Sequence, residues 1–161
     1  MARSGAKVAW VLWVSLSAGC GYRFVPRGSE LPEGVKSVCA PVFVNETSEP
    51  ALEVLFTEAF RQELVRAGNL ATGTCEARVE GAVVGVGSAP TIIAGSYRAN
   101  ATVRLRLVKE GRLLRETYVS GSEDFLTRTG DVLEVEANRQ AALHRLVETL
   151  MRDGYERLAG G

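Results

Sequence analysis

The chain has 161 residues, of which 46% are hydrophobic, and its 19 basic and 19 acidic side chains give a formal net charge of zero. This length suits one domain that can bury a core of its own. The balanced charge excludes a typical nucleic-acid binder, which would carry a clear basic excess.

Residues 1–19 have the pattern of a secretory signal peptide. Arg3 and Lys7 give a positive start, residues 8–18 are uncharged and mostly apolar, and small residues precede Cys20. The apolar run is shorter than the ~20 residues that a membrane-spanning helix needs. We therefore predict that residues 1–19 are removed during export.

The end of this leader, Leu16-Ser17-Ala18-Gly19-Cys20, resembles the lipobox of bacterial lipoproteins, with a serine where an aliphatic residue is usual. The resemblance implies that the Cys20 thiol carries a diacylglycerol and that the amino group freed by cleavage takes a further acyl chain. The alternative is an ordinary secreted protein. Residues 20–34, rich in glycine and proline, are predicted to be a tether, and residues 35–161 the domain.

The first half of the domain reads as a strand followed by a helix. Residues 35–44 are apolar on both parities, which predicts a strand buried on two faces, and Pro41 indicates an edge or a bulge. The helix has Thr47 or Ser48 as its cap and Pro50 in its first turn, and it ends at Gly68-Asn69. Its apolar face comprises Leu52, Leu55, Phe56, Ala59, Phe60 and Leu64.

Three more strands and a second helix follow. Residues 76–86 alternate with period two until glycines and Pro90 break the pattern, and residues 97–107 alternate most regularly. A turn at 109–112 leads to a fourth strand over 113–121. The last helix begins after Gly130-Asp131 and is loosened by Gly154. Its apolar stripe comprises Val135, Ala142, Leu143, Leu146, Val147 and Leu150.

The element order β-α-β-β-β-α predicts an α+β fold. A two-layer sandwich satisfies both helical stripes, with a four-stranded mixed sheet and the two helices on one face. The first two strands should be parallel because a helical crossover joins them, and the later pairs antiparallel.

Side chains with catalytic or metal-binding chemistry are sparse. His144 is the only histidine, which excludes a multi-histidine metal site and makes a histidine-dependent triad improbable. Gly81, Gly85 and Gly87 do not form a phosphate loop. Cys39 and Cys75 either pair in an oxidising compartment or stay as two buried thiols. We predict no enzyme, no metal and no cofactor beyond the covalent lipid on Cys20.

The order of several soft motifs resembles the LptE family of lipopolysaccharide-assembly lipoproteins. These motifs are Cys20-Gly21-Tyr22-Arg23-Phe24 after the leader, Pro41-Val42-Phe43-Val44-Asn45-Glu46-Thr47 before a proline-containing helix, the strands with Gly81 and Tyr97, and the final helix. The resemblance implies a domain anchored to the inner leaflet of the outer membrane and facing the periplasm. It further implies that the domain plugs an LptD-like β-barrel translocon and assists lipopolysaccharide transport.

A lipopolysaccharide binder needs cations for the phosphates of its ligand. Arg98, Arg104 and Arg106 share one face of the third strand, with Arg112 and Arg115 at the following turn. We predict a weak lipopolysaccharide site there, against the alternative of an ordinary solvated sheet face.

Two other functions compete. Lipoprotein activators of peptidoglycan synthases have a similar β-α-β start with a strand that ends in Phe-x-Asn-x-Thr, but they usually carry a longer linker. The short spacer here favours work at the membrane. A secreted hydrolase would require a nucleophile and a base, and the sequence shows no such pair.

Overall fold

A computed structural model describes residues 30–127 and 131–160. The predicted signal peptide, Cys20 and most of the predicted tether lie outside the described residues. The described elements begin with a short 3-10 turn, Pro32–Gly34. The strands and helices that follow are β1 (Val38–Cys39), β2 (Val44–Asn45), α1 (Leu52–Ala67), β3 (Ala77–Pro90), β4 (Ser96–Lys109), β5 (Arg112–Leu126) and α2 (Val132–Ala159).

The predicted α+β architecture is confirmed, with one strand more than expected. The sheet order is β1-β3-β4-β5, and β2 also pairs with β3. β1 and β2 run parallel to β3, as the crossover predicts, and the β3–β4 and β4–β5 pairs are antiparallel. α2 packs on β4 and β5, and α1 packs beside it over β2 and β3. Both helices therefore cover one face of the sheet.

The first predicted strand is divided into β1 and β2, and the expectation that it is buried on both faces is wrong. Pro41 lies in the break, where it has no amide hydrogen for the ladder. The guanidinium of Arg61 donates to the Ala40 carbonyl oxygen at 2.8 and 3.0 Å, which satisfies a group that a regular strand would have paired. Val42 and Val44 are exposed, whereas Phe43 between them is buried, so only one side of this segment contacts the core.

α1 starts later than predicted, with Ala51 and not Thr47 or Ser48 as its N-cap. Ala51 has a left-handed backbone and makes no side-chain cap. Pro50 disfavours a helical conformation at the residue before it, which keeps Glu49 out of the helix. Thr47 belongs instead to a tight turn in which the Asn45 side-chain oxygen accepts from its amide at 3.0 Å. The predicted end is confirmed, with Gly68 as a left-handed C-cap.

β3 continues through the glycines that were predicted to break it, and β5 is also longer than predicted. The register shifts between Val83 and Gly85. This irregularity keeps the strand paired while it changes which side chains face the helices. The β4–β5 connection is a two-residue turn, and both Glu110 and Gly111 have positive φ, as tight hairpins with this twist require.

The core lies between the helices and the inner face of the sheet. The alternation predicted for β4 is confirmed, because Ala99, Ala101, Val103, Leu105 and Leu107 are all buried. Asp131 caps α2 by accepting from the amide of Leu133 at 2.9 Å.

Two glycines permit close packing in this core. Gly154 does not loosen α2, which continues to Ala159, because Leu105 packs where a side chain at position 154 would stand. In the same way, the Phe43 ring lies directly over Gly81.

Candidate functional site: the open face of the sheet

The face of the sheet opposite the helices is not covered by any described element. Its side chains form rows across β3, β4 and β5, and the register fixes which residues are neighbours. In the middle rows Asn100 stands between Gly87 and Ser122, and Thr102 stands between Gly85 and Ser120. The Thr102 and Ser120 hydroxyls are 3.0 Å apart. The centre of this open face is therefore uncharged and polar, with small side chains.

Arg98 lies on one side of this neutral centre. Its guanidinium donates to both carboxylate oxygens of Asp124 at 2.6 and 3.0 Å, a bidentate pair across β4 and β5. The hydrogen bond from Arg98 lowers the pKa of Asp124 below its ordinary value, and the same bond raises the pKa of Arg98. The pair stays ionised at neutral pH, but it is exposed to solvent and adds little stability.

Arg104 and Arg106 lie on the other side of the centre. Arg104 donates to Glu46 at 3.0 Å, and a hydrogen bond to Tyr118 raises its pKa, with a smaller contribution from Glu46. Arg106 lies 3.5 Å from a Glu80 oxygen, and both arginines approach Glu116 at 3.9–4.0 Å. This region is a mixed network of charges and not a cluster of cations.

The three predicted arginines therefore share the open face, but they form two groups with carboxylate partners. An incoming phosphate would have to compete with Asp124, Glu46, Glu80 or Glu116. The sequence analysis missed these partners. Period two could have located two of them, because Glu116, Tyr118, Ser120, Ser122 and Asp124 share one parity of β5.

Arg112 and Arg115 do not join the three. Arg112 pairs with Glu33 at 2.7 Å, where the amino-terminal segment meets the β4–β5 turn. Arg115 donates to the carbonyl oxygens of Arg157 and Leu158 at 3.3 and 3.0 Å. A cation at this end of α2 satisfies free carbonyls and complements the helix dipole.

A cleft of about 440 Å³ separates the start of α1 from α2. Arg139 crosses it and donates to Glu136 at 3.0 Å and to Glu49 at 2.8 Å. These bonds raise the pKa of Arg139, that to Glu136 most strongly, and Arg139 lowers the pKa of Glu136. The Arg139–Glu49 pair therefore fastens α2 to the turn that leads into α1, whereas the Arg139–Glu136 pair lies within α2.

The structure places Cys39 and Cys75 in a disulfide with Cα atoms 5.6 Å apart, which ties β1 to the loop before β3. His144 is exposed on α2. Within residues 30–127 and 131–160, no three His, Cys, Asp or Glu side chains gather as metal ligands would. Over the same ranges, neither helix has the length and apolar character needed to cross a membrane.

Solved structures with the same fold include several lipoproteins. A Caulobacter crescentus lipoprotein shares 15% identity with a TM-score of 0.59, covering 77% of this chain and 88% of its own. A minor lipoprotein of Acinetobacter baumannii shares 10% identity with a TM-score of 0.55, and the match covers 78% of this chain and 91% of that protein. The rare lipoprotein B of Shewanella oneidensis shares 10% identity with a TM-score of 0.51, and the match covers 73% of this chain and 92% of that protein. At these identities the likeness establishes the fold alone.

The fold and its open face thus define the class: a two-helix, mixed-sheet domain of the kind found in bacterial lipoproteins. No curated protein sequence matches this chain. A family model matches residues 35–158, and its description is LptE, lipopolysaccharide-assembly. The chain belongs to the LptE family.

Proposed function

We propose that this protein is acylated at Cys20 and held at the inner leaflet of the outer membrane, with its domain facing the periplasm. There it plugs an LptD-like β-barrel, helps to assemble it and assists the passage of lipopolysaccharide to the cell surface. The observation that carries the proposal is the family match over residues 35–158. The protein acts by shape and contact, without catalysis.

The open face of the sheet supports this function. The lumen of an outer-membrane barrel is lined by polar side chains. The centre of the open face offers hydroxyl and amide groups, and the arginines beside it are already paired with carboxylates. Such a face can approach a polar wall without burying an unpaired charge, which would be costly. We therefore place the barrel contact on the open face.

A matched pair of threonine substitutions tests this contact. Thr102→Arg puts a long cation at the centre of the open face, and Thr149→Arg makes the same change on the exposed side of α2. Detergent extracts of cells with the natural chain are expected to yield a stable complex with a large β-barrel. Thr102→Arg should reduce barrel recovery at least tenfold, a loss of about 1.4 kcal/mol of binding free energy, while Thr149→Arg should leave it unchanged.

Two results would contradict this proposal. Recovery of the natural chain with a penicillin-binding protein, and without a barrel, would favour the alternative function, activation of a peptidoglycan synthase. If both variants recover the barrel as well as the natural chain does, the proposed function stands, but the open face is not the surface that contacts the barrel. Circular dichroism spectra of both variants that match the spectrum of the natural chain establish that both have folded.

We further propose that Arg98, Arg104 and Arg106 contact lipopolysaccharide phosphates by exchanging their carboxylate partners for the ligand. Replacing the three with alanine is expected to weaken lipopolysaccharide binding at least tenfold at low salt, because bidentate phosphate contacts are lost. The matched control replaces Arg66, Arg145 and Arg152, which removes the same charge from the helices. If lipopolysaccharide binding falls equally in both variants, or in neither, the binding site is not on the open face.

A further inference from the structure

Exposed apolar side chains collect at the end of the sheet where β3 meets β4. We define the apolar tip as Ile92, Ile93, Leu126, Val132 and Leu133, all of which are exposed. Ile92 is fully exposed, and Ile93 follows it in the β3–β4 loop.

Pairing and hydrogen bonds bring the rest of the tip to the same end. Leu126 joins the tip because it pairs with Ser96 at the start of β4. Val132 and Leu133 begin α2, and Asn138 in the next turns of that helix donates to the Leu126 carbonyl at 3.2 Å. Large exposed apolar groups from three parts of the chain therefore lie at one end of the sheet.

The apolar tip also lacks charge along its longest segment. No charged residue occurs over residues 81–97, although 24% of the whole chain is charged. The next residue, Arg98, is neutralised by its bidentate pair with Asp124. Tyr97, which ends the uncharged run, is exposed, and its ring lies 6.0 Å from the Phe125 ring in a tilted arrangement. An aromatic ring with a hydroxyl is the side chain that membrane interfaces favour.

Several backbone groups of the β3–β4 loop are held in hydrogen bonds. The Thr91 amide donates to Ser96 and the Ser96 amide donates to Ile93, both at 3.0 Å. The Thr91 hydroxyl accepts from the Ile93 amide at 3.2 Å, and Thr127 donates to the Gly95 carbonyl at 2.9 Å. Each polar group that is already paired lowers the cost of moving the loop into a medium that offers no hydrogen-bond partners.

We infer that the apolar tip inserts into the acyl-chain region of a phospholipid bilayer. A projecting aliphatic loop that is free of charge suits hydrocarbon. Protein interfaces, by contrast, concentrate their binding energy in tryptophan, tyrosine and arginine anchors. There is no unpaired cation over residues 81–98, and the charged residues next to Val132 and Leu133 are the carboxylates Asp131 and Glu134. Attraction would therefore come from apolar burial and not from anionic lipid, so that a neutral lipid should suffice.

The apolar tip would form a second membrane contact, separate from the predicted lipid at Cys20. The amino-terminal segment meets the opposite end of the sheet, where Glu33 pairs with Arg112. The length of β4 places the two ends about 45 Å apart at roughly 3.3 Å per residue. In a chain that is free of a barrel, the two contacts together would hold the domain along the membrane. This inference does not depend on the barrel function, and a chain that binds no barrel could still confirm it.

Tryptophan fluorescence can test the insertion without interference. The chain has two tryptophans, Trp10 and Trp13, both within the predicted signal peptide. In a full chain with W10F and W13F, Ile92→Trp places one reporter on the tip, and Val54→Trp places one on exposed α1 as the matched control. Both chains are bound to phosphatidylcholine vesicles, with and without bromine on the acyl chains.

The Ile92→Trp emission is expected to move to shorter wavelength and to be quenched by brominated lipid several-fold more than that of Val54→Trp. Adding Ile93→Asp should reverse both effects, because a carboxylate resists transfer into hydrocarbon. Solvent-like, unquenched emission from Ile92→Trp would overturn the inference. So would a shift that needs lipopolysaccharide in the vesicles, or one that appears without lipid as the protein is concentrated. These last two results would identify the ligand or a second copy of the chain as the occupant.

Discussion

Replacing Cys39 and Cys75 together with alanine is expected to lower the free energy of unfolding by about 2–4 kcal/mol. The disulfide joins residues 36 apart in the sequence and fastens β1, a strand of two residues, to the segment that enters β3. Without the crosslink the unfolded chain gains conformations, while the folded edge keeps only a few ladder bonds. A change of this size is large beside the 5–15 kcal/mol of a typical domain.

Denaturant titration measures this loss. The natural chain should unfold at a lower denaturant concentration when a reducing agent is present, and the double variant should unfold at the same concentration with and without it. If reductant leaves the natural chain unchanged, the two sulfurs are not bonded in the protein. Far-ultraviolet circular dichroism of both forms shows whether the reduced fold survives.

Gly81→Ala is expected to destabilise the domain by about 1–3 kcal/mol, the usual effect of overpacking a core. A methyl group at position 81 would overlap the Phe43 ring, which is itself buried and lies 5.7 Å from the Phe60 ring. Phe43 cannot withdraw easily because its amide donates to the buried Thr57 hydroxyl at 2.9 Å. The added carbon therefore forces a shift in β2, in β3 or in both.

Gly85→Ala is the matched control for this substitution. It lies on the same strand, but its new methyl group would meet only Thr102 at an ordinary 3.9 Å. Thermal and denaturant unfolding should place Gly85→Ala near the natural chain and Gly81→Ala well below it. Phe43→Leu in the Gly81→Ala background should recover part of the loss, because the two sites couple through direct contact. Additive effects of the two changes would disprove the contact.

Periodicity predicted the parts of the fold that depend on one buried face. The alternation in β4 and the three-and-four spacing in α1 and α2 are local patterns, and each placed its apolar side chains in the core. The boundaries depended on contacts that no local pattern contains. β3 continues through its glycines because β4 pairs with it on one side. The first strand is interrupted at Pro41, and Arg61 from α1 stabilises this break by donating to the unpaired Ala40 carbonyl oxygen.

The candidate site was predicted only in part, because its arginines follow a local pattern and their partners do not. Parity on β4 placed Arg98, Arg104 and Arg106 on one face, which the structure shows. Their partners come from the Glu46 turn, from β3 and from β5, and only the register of the sheet reveals them. The apolar tip could not be predicted from the sequence, because Ile92, Leu126 and Val132 are far apart along the chain and only the fold brings them to one end of the sheet.

The parallel pairing of β1 and β2 with β3 has a consequence for the order of folding. β3, β4 and β5 are joined by connections of five and two residues, whereas β1 must wait for all of α1 before its partner strand exists. Contacts of low sequence separation form fastest, so the three-stranded meander is the natural nucleus and the amino-terminal edge docks last. During synthesis from the amino terminus, β1 and β2 thus emerge before β3, the strand with which they pair. Their apolar residues stay unpaired until β3 has been made.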